Sequence, residues 1–212
     1  MVLQPASQPQ VPSRPAARGQ GILSELVQVG VLALVLFLVI HLAVQPVRVI
    51  GSSMYPTVAD QDYLIATTID YRFNPPHRGD IVILRDPYDS SLDFIKRVIA
   101  LPGEHLLIRN GQVYINGRLL TEPYVNHQEQ WTVNSNYPAS GSADPEGIVI
   151  PANQYFVMGD NRNHSSDSRA FGAIPRSSIE ARGWLRVLPL SQLGTIDRQK
   201  PVLAPTPSLA AA

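Results

Sequence analysis

The chain has 212 residues, carries 17 lysines and arginines against 17 aspartates and glutamates, and contains no cysteine. The balanced charge gives no field to attract nucleic acid or another polyanion. The missing cysteines exclude a disulfide framework, a thiolate metal site and a cysteine nucleophile. Length fits one folded domain with appendages, and prolines gathered towards both ends mark those appendages as linkers or tails.

Residues 1–20 are rich in Pro, Gln, Ala and Ser and carry only Arg14 and Arg18 as charges. They are expected to be disordered, within an N-terminal segment of 1–25 that cannot build a core. From Leu26 to Val44 the sequence is almost continuously apolar, broken only by Gln28 and His41. As a helix it would reach about 28 Å, the thickness of a bilayer core. A buried core helix and a cleaved secretory signal are the alternatives. A signal's apolar region is shorter, about 7 to 15 residues, and ends in a small-x-small site that His41 to Pro46 does not supply, so 26–44 reads as a retained membrane anchor. Arg14 and Arg18 before it, against Arg48 after it, favour a cytoplasmic N-terminus.

Beyond the anchor, short apolar runs alternate with turn signals: Tyr63 to Ile65, Asp80 to Leu84, Phe94 to Ile99, His105 to Ile108, Val113 to Ile115 and Gln154 to Met158. Asn110-Gly111 and Asn116-Gly117 are hairpin signals. The fold class expected is mainly β over 45–196. Residues 122–147 are polar and turn-rich, as in a surface excursion, and 197–212 read as a flexible tail.

Ser53 lies in GSSMYPT, where Gly51 and Pro56 bracket a bend directly after the strand-like VRVI, so its hydroxyl is placed at a strand end. A turn serine bonding its own backbone gives the same pattern. In Asp93-Phe94-Ile95-Lys96-Arg97-Val98-Ile99, strand alternation puts Lys96 on the face of Phe94 and Val98 and Arg97 on the other. One of the two cations must then meet an apolar environment. A buried lysine loses its charge readily, and a neutral amine can take a proton from a serine hydroxyl. An edge-strand lysine snorkelling to water is the other reading. The run from Gly159 to Arg169 (GDNRNHSSDSR) is denser in hydrogen-bonding side chains than a connection requires. Arg162 stands where a calcium loop needs a ligand oxygen, so the run is no calcium loop. Asn163-His164-Ser165 matches a glycosylation sequon, a short and weak pattern. No metal-ligand spacing occurs and no cofactor is expected.

GSSMYPT, RGDIVIL (78–84), FIKRVIALPGE (94–104) and GDNRNHSSDSRAFG (159–172) follow an apolar span in this order. In sequence and order they resemble the boxes of type I signal peptidases, in the single-anchor form of bacteria or cyanobacteria. The resemblance implies an antiparallel β-sheet catalytic domain and a membrane-bound serine endopeptidase that removes signal peptides from exported preproteins through a Ser-Lys dyad. It implies Ser53 as nucleophile and Lys96 as general base, with Ser165 hydrogen-bonded to the lysine. Asp160, Asp167 and Arg169 match the loop's structural residues, and Met54, Phe94, Ile95, Val49 and Val58 match the pocket for the residue before the cut. It also implies signal peptides and the lipid bilayer as partners, and a plasma or thylakoid membrane with the catalytic domain on the extracytoplasmic face. Some members carry a serine two places before the nucleophile whose hydroxyl completes the oxyanion hole; here that place is Gly51, and backbone N–H groups must serve.

A self-cleaving Ser-Lys regulator would need a DNA-binding domain that residues 1–44 do not supply. A tethered β module that only binds partners would be indifferent to Ser53. His164 is the one histidine near enough to the serine-rich loop to compete as a base.

Overall fold

The computed structural model of the protein describes residues 21–89, 91–125, 130–139, 146–196 and 199–205. The chain divides into two compact units, Met1–Val39 and Ile40–Ala212. Described by itself, helix α1 (Ile22–Ala43) is apolar along its length, and none of its side chains is buried. The segment expected at 1–25 lies outside the described residues up to 20, and its last four residues are the first turn of α1.

The second unit is mainly β and antiparallel. Its strands are β1 (Val44–Arg48), β2 (Tyr63–Thr67), β3 (Ile81–Arg85), β4 (Asp93–Ala100), β5 (His105–Arg109), β6 (Gln112–Ile115), β7 (Arg118–Thr121), β8 (Ile148–Val149), β9 (Gln154–Met158), β10 (Ile174–Pro175), β11 (Ile179–Leu188), β12 (Gly194–Thr195) and β13 (Val202–Leu203). The larger sheet runs β1-β2-β11-β3-β4-β9-β10 with β12 added to β11, and the smaller runs β13-β7-β6-β5-β8. Asn110-Gly111 and Asn116-Gly117 both have positive φ, the geometry of a two-residue hairpin turn. They join β5 to β6 and β6 to β7 in closed register.

Ile99, Leu106, Ile108, Val113, Ile115, Tyr124 and Phe156 form the core of the smaller sheet, and Val82, Leu84, Val98 and Val157 belong to a second cluster on the larger one. A third cluster of Val49, Met54, Val58, Leu64, Ile81 and Ile196 packs beneath the bend after β1. It is this cluster that gives the Ser53 turn a fixed seat.

Three elements depart from expectation. β11 is the longest strand and was not anticipated. Of the excursion expected over 122–147, residues 126–129 and 140–145 lie outside the described residues. Tyr137, within it, exchanges two backbone hydrogen bonds with Ile108. In place of a free tail over 197–212, residues 199–205 are held: β13 pairs with β7, and Arg118 donates to Ala204 O at 2.7 Å. Residues 197–198 and 206–212 lie outside the described residues.

Candidate active site

The bend carrying Ser53 is tied at both ends. Val49 N–H donates to Asp62 O and Gln61 N–H to Val49 O, both at 2.9 Å, while Gly51 N–H donates to Asp60 Oδ1 at 2.7 Å. Met54 is buried below it and accepts through its carbonyl from Val58 N–H at 2.9 Å. Ser53 itself stays half-buried at the mouth of a groove, and its N–H enters no backbone hydrogen bond among the described residues.

β4 brings the lysine. Val82 pairs with Lys96 across β3 and β4, so Lys96 lies well inside the sheet and is only 3% exposed. Its Nζ is 3.0 Å from Ser53 Oγ and 4.8 Å from the centre of the Phe94 ring. Burial pushes its pKa down to about 8; Asp167 opposes the fall and Arg169 adds to it. A hydroxyl and an amine at this separation, with the amine half neutral near pH 8, can exchange a proton without rearrangement.

Both cations of the Lys-Arg pair are buried, where the alternation argument required only one to be. Arg97 has a full set of partners: its Nε and Nη2 reach the two Asp160 oxygens at 2.8 and 2.7 Å, its Nη1 reaches Gly79 O at 2.9 Å, and its Cζ stands 3.8 Å over the Tyr124 ring. Among the described residues the hydrogen-bond partner of Lys96 is a neutral hydroxyl. The difference explains why one cation keeps its charge and the other is poised to lose it.

The loop after β9 docks on the Ser53 turn through backbone contacts. Asn161 N–H donates to Ser53 O at 3.0 Å, and Asn161 Nδ2 to Ser52 O at 3.1 Å. Gly159 permits this approach: a Cβ there would stand 2.4 Å from Ser53 O and 2.3 Å from Ser165 Oγ. Asp167 accepts from Gly159 N–H at 3.0 Å and from Arg169 Nε and Nη2 at 2.8 Å each. Burial would raise the Asp167 carboxyl, but the bonds and charge of Arg169, with the Gly159 N–H, hold it below its ordinary value.

Not every expected site residue falls where the sequence suggested. No hydrogen bond joins Ser165 to Lys96. The Ser165 hydroxyl is buried and makes none among the described residues. It helps hold down Asp167, an electrostatic influence from a contact whose geometry falls short of a hydrogen bond. Val49, Phe94 and Ile95 line the groove of about 560 Å³ that opens at Ser53 and Lys96, together with Ile50, Leu92 and Ile83. Met54 and Val58 do not line it; they are wholly buried and form its support. His164 is on the groove wall and exposed. Asn163 is not a free sequon: its Oδ1 accepts from Thr132 and Val133 N–H and its Nδ2 donates to Gln130 O. No local pattern pointed to Thr57, whose hydroxyl donates to Asp160, or to the Arg162–Glu122 pair at 2.6 and 3.0 Å. Their partners lie 103 and 40 residues away, beyond any local pattern.

Residues 23–188 match the family model described as signal peptidase, peptidase S26. The chain is 37% identical over 182 residues to a probable signal peptidase I-1 of Synechocystis sp., which covers 82% of this chain and 87% of that protein. It is 38% identical over 196 residues to a signal peptidase I of Leptolyngbya laminosa, covering 87% and 91%. It is 32% identical over 177 residues to signal peptidase IB of Staphylococcus aureus, covering 81% and 92%. Among solved structures, a signal peptidase I from Enterococcus faecalis aligns at 34% identity over 51% of this chain and 97% of that one, with a TM-score of 0.43.

Proposed function

The chain belongs to the signal peptidase family, peptidase S26, and from that premise we propose a membrane-anchored serine endopeptidase in which Ser53 is the nucleophile and Lys96 its general base. The observation that carries the mechanism is the 3.0 Å contact between a buried amine and the Ser53 hydroxyl. Lys96 takes the Ser53 proton as Oγ attacks the scissile carbonyl carbon. The oxyanion is stabilised by backbone N–H groups, that of Ser53 among them. Lys96 then gives its proton to the leaving amine, and a water deprotonated by Lys96 hydrolyses the acyl-enzyme, the proton returning to Ser53 Oγ as it leaves.

The anchor part of the proposal rests on α1. A helix apolar on every side is either buried in a core or set in a bilayer, and none of its side chains is buried. At 22 residues it would reach about 33 Å, enough to cross. The N-terminus would be cytoplasmic and the β unit extracytoplasmic, so that Ser53, nine residues past Val44, works within about 30 Å of the membrane boundary. A signal peptide lodged in the same bilayer presents its cut at that depth.

The test is incubation of the detergent-solubilised chain with a preprotein and sequencing of the new N-terminus. Cleavage should follow a small residue, chiefly alanine. Beside Ser53 the groove is walled by Val49, Phe94 and Ile95, apolar side chains that accept a methyl group and themselves offer no partner to a desolvated charge. Leucine before the cut should lower kcat/KM about a hundredfold by displacing the carbonyl. Efficient cleavage after leucine or aspartate would defeat the specificity.

The pH dependence follows from Lys96. Only its neutral form accepts a proton, and its pKa is pushed down to about 8. The rate should therefore climb from pH 6 to 8 and level off above, well short of the ordinary lysine range. An acid limb that vanishes in His164→Ala would move the base to histidine.

A further inference from the structure

Trp131 lies in the polar stretch between β7 and β8, where nothing in the reaction calls for an indole. It is partly buried against the core of the smaller sheet and meets two guanidinium groups, Arg162 Cζ at 4.9 Å and Arg169 Cζ at 5.2 Å. Both arginines hold the same residue. Arg162 Nε donates to Gly159 O at 2.9 Å. Arg169 grips Asp167, whose Oδ2 accepts from Gly159 N–H at 3.0 Å. Gly159 is the residue whose lack of a Cβ leaves room for the Ser53 carbonyl. The indole is itself fastened: Trp131 Nε1 and Arg169 Nη1 both donate to Val133 O, at 2.6 and 3.0 Å. Asn163 holds the flanking backbone by accepting from Thr132 and Val133 N–H at 2.9 and 3.2 Å and donating to Gln130 O at 2.9 Å.

We propose that Trp131 is a positioning residue for the Ser53–Lys96 pair, fixing the two arginines that clamp Gly159 against the Ser53 carbonyl. The proposal rests on the Ser53–Lys96 reading above. An aromatic face over a partly desolvated guanidinium restrains it by charge–quadrupole attraction. Two such contacts from one ring tie Arg162 and Arg169 together.

The consequence reaches Lys96 by electrostatics. The ionisable groups acting on it include Asp167, Arg169, Asp86 and Asp160, with Arg48, Asp93 and His164 on the groove walls. Asp167 favours the ammonium, whereas Arg169 disfavours it and neutralises Asp167. Without the ring Arg169 keeps its bonds to Asp167 but loses the aromatic face that restrains it, so its hold on Asp167 loosens. The less compensated carboxylate then stabilises the ammonium, and less free amine is present near neutral pH.

The chain has only two lysines, Lys96 and Lys200, so ¹³C-lysine NMR of the full-length protein in detergent follows Lys96 directly with Lys200 as internal control. In Trp131→Ala the Lys96 midpoint should rise by about 0.5 to 1 pH unit with Lys200 unmoved. Preprotein kcat at pH 7.5 should fall about three- to tenfold with KM within about twofold. Trp131→Phe, which keeps an aromatic face, should stay near wild type. Asn163→Ala, which keeps the indole but unfastens its backbone, should give a smaller shift in the same direction, and it decides the matter if Trp131→Ala fails to fold. A Lys96 midpoint equal to wild type in the folded variants, or an equal shift in Trp131→Phe, would overturn the proposal. Cleavage that survives in Ser53→Ala would instead remove the dyad reading, leaving the lysine titration to judge Trp131 separately.

Discussion

Ser53→Ala and Lys96→Met are each expected to lower kcat/KM for preprotein cleavage by about 10⁴-fold or more, and the double substitution should be no worse than either. Nucleophile and base act as one unit, so removing either removes the proton-coupled attack and leaves only binding and oxyanion stabilisation. The two variants should differ in stability. Wild-type Lys96 is 3% exposed, and its pKa falls from an ordinary 10.5 to about 8. Folding therefore disfavours the ammonium by about 3 kcal/mol. The sign follows from linkage: between pH 8 and 10.5 the unfolded chain binds more protons, so native stability rises with pH across that window. Below pH 8 the penalty is fully present. Lys96→Met, which fills the same space without a charge, should be more stable than wild type by up to about 3 kcal/mol at pH 7, and that advantage should fade by pH 10.5. Ser53→Ala should show no such gain. Parallel denaturation at pH 7 and pH 10 checks the thermodynamic half and N-terminal sequencing of product the kinetic half. A Lys96→Met variant that is both inactive and markedly less stable at pH 7 would mean that the amine is structural.

The Ser53 bend and the strand face of Lys96 were legible because each is local to a short segment, whereas the proposal that the two act as a dyad came from the resemblance. A bracketed bend places the hydroxyl, and strand alternation places Lys96 with Phe94 and Val98, as the ring contact at 4.8 Å reflects. The hairpins were legible for the same reason, since Asn-Gly encodes a turn without reference to the rest of the chain. What could not be read depends on distant partners. β11 is interrupted by Glu180, Arg182 and Arg186, which look like a solvated stretch until Arg186 is seen to reach Asp62, 124 residues away, and Arg182 to reach Asp70. Those pairings let charged side chains lie in the middle of the larger sheet. Residues 199–205 look like tail because Pro and Ala carry no periodic signal, yet Pro201 sits so close to Gly79 that a Cβ on the glycine would stand 2.5 Å from Pro201 Cδ. Arg97 was assigned only a strand face; its role required Asp160, 63 residues on, to be beside it.

That pair carries the largest structural effect expected. Arg97 and Asp160 are both 0% exposed and joined by two hydrogen bonds, with Thr57 and Gly79 O taking up remaining donors and acceptors and Tyr124 covering the guanidinium. Arg97→Met leaves a buried carboxylate whose remaining side-chain partner among the described residues is the Thr57 hydroxyl, and Asp160→Leu leaves a buried guanidinium with carbonyls, the Thr57 hydroxyl and the Tyr124 ring but no counter-charge bonded to it. Each should lower the unfolding free energy by about 3 to 5 kcal/mol, because an unpaired charge in the interior costs far more than the pair contributes. The double substitution Arg97→Met/Asp160→Leu should recover most of that loss, since two apolar side chains restore neutrality in the same space. Denaturant titration of the full chain in detergent, followed by the fluorescence of Trp131 and Trp184, gives the three free energies. Cleavage should not recover with stability, because Arg97 is the neighbour of Lys96 on β4, and Thr57 and Asp160 tie that strand to the Ser53 turn and the Gly159 loop. Strictly additive losses in the double variant would show that the two charges do not depend on each other, and a double variant restored in both stability and cleavage would show that the pair serves only the fold.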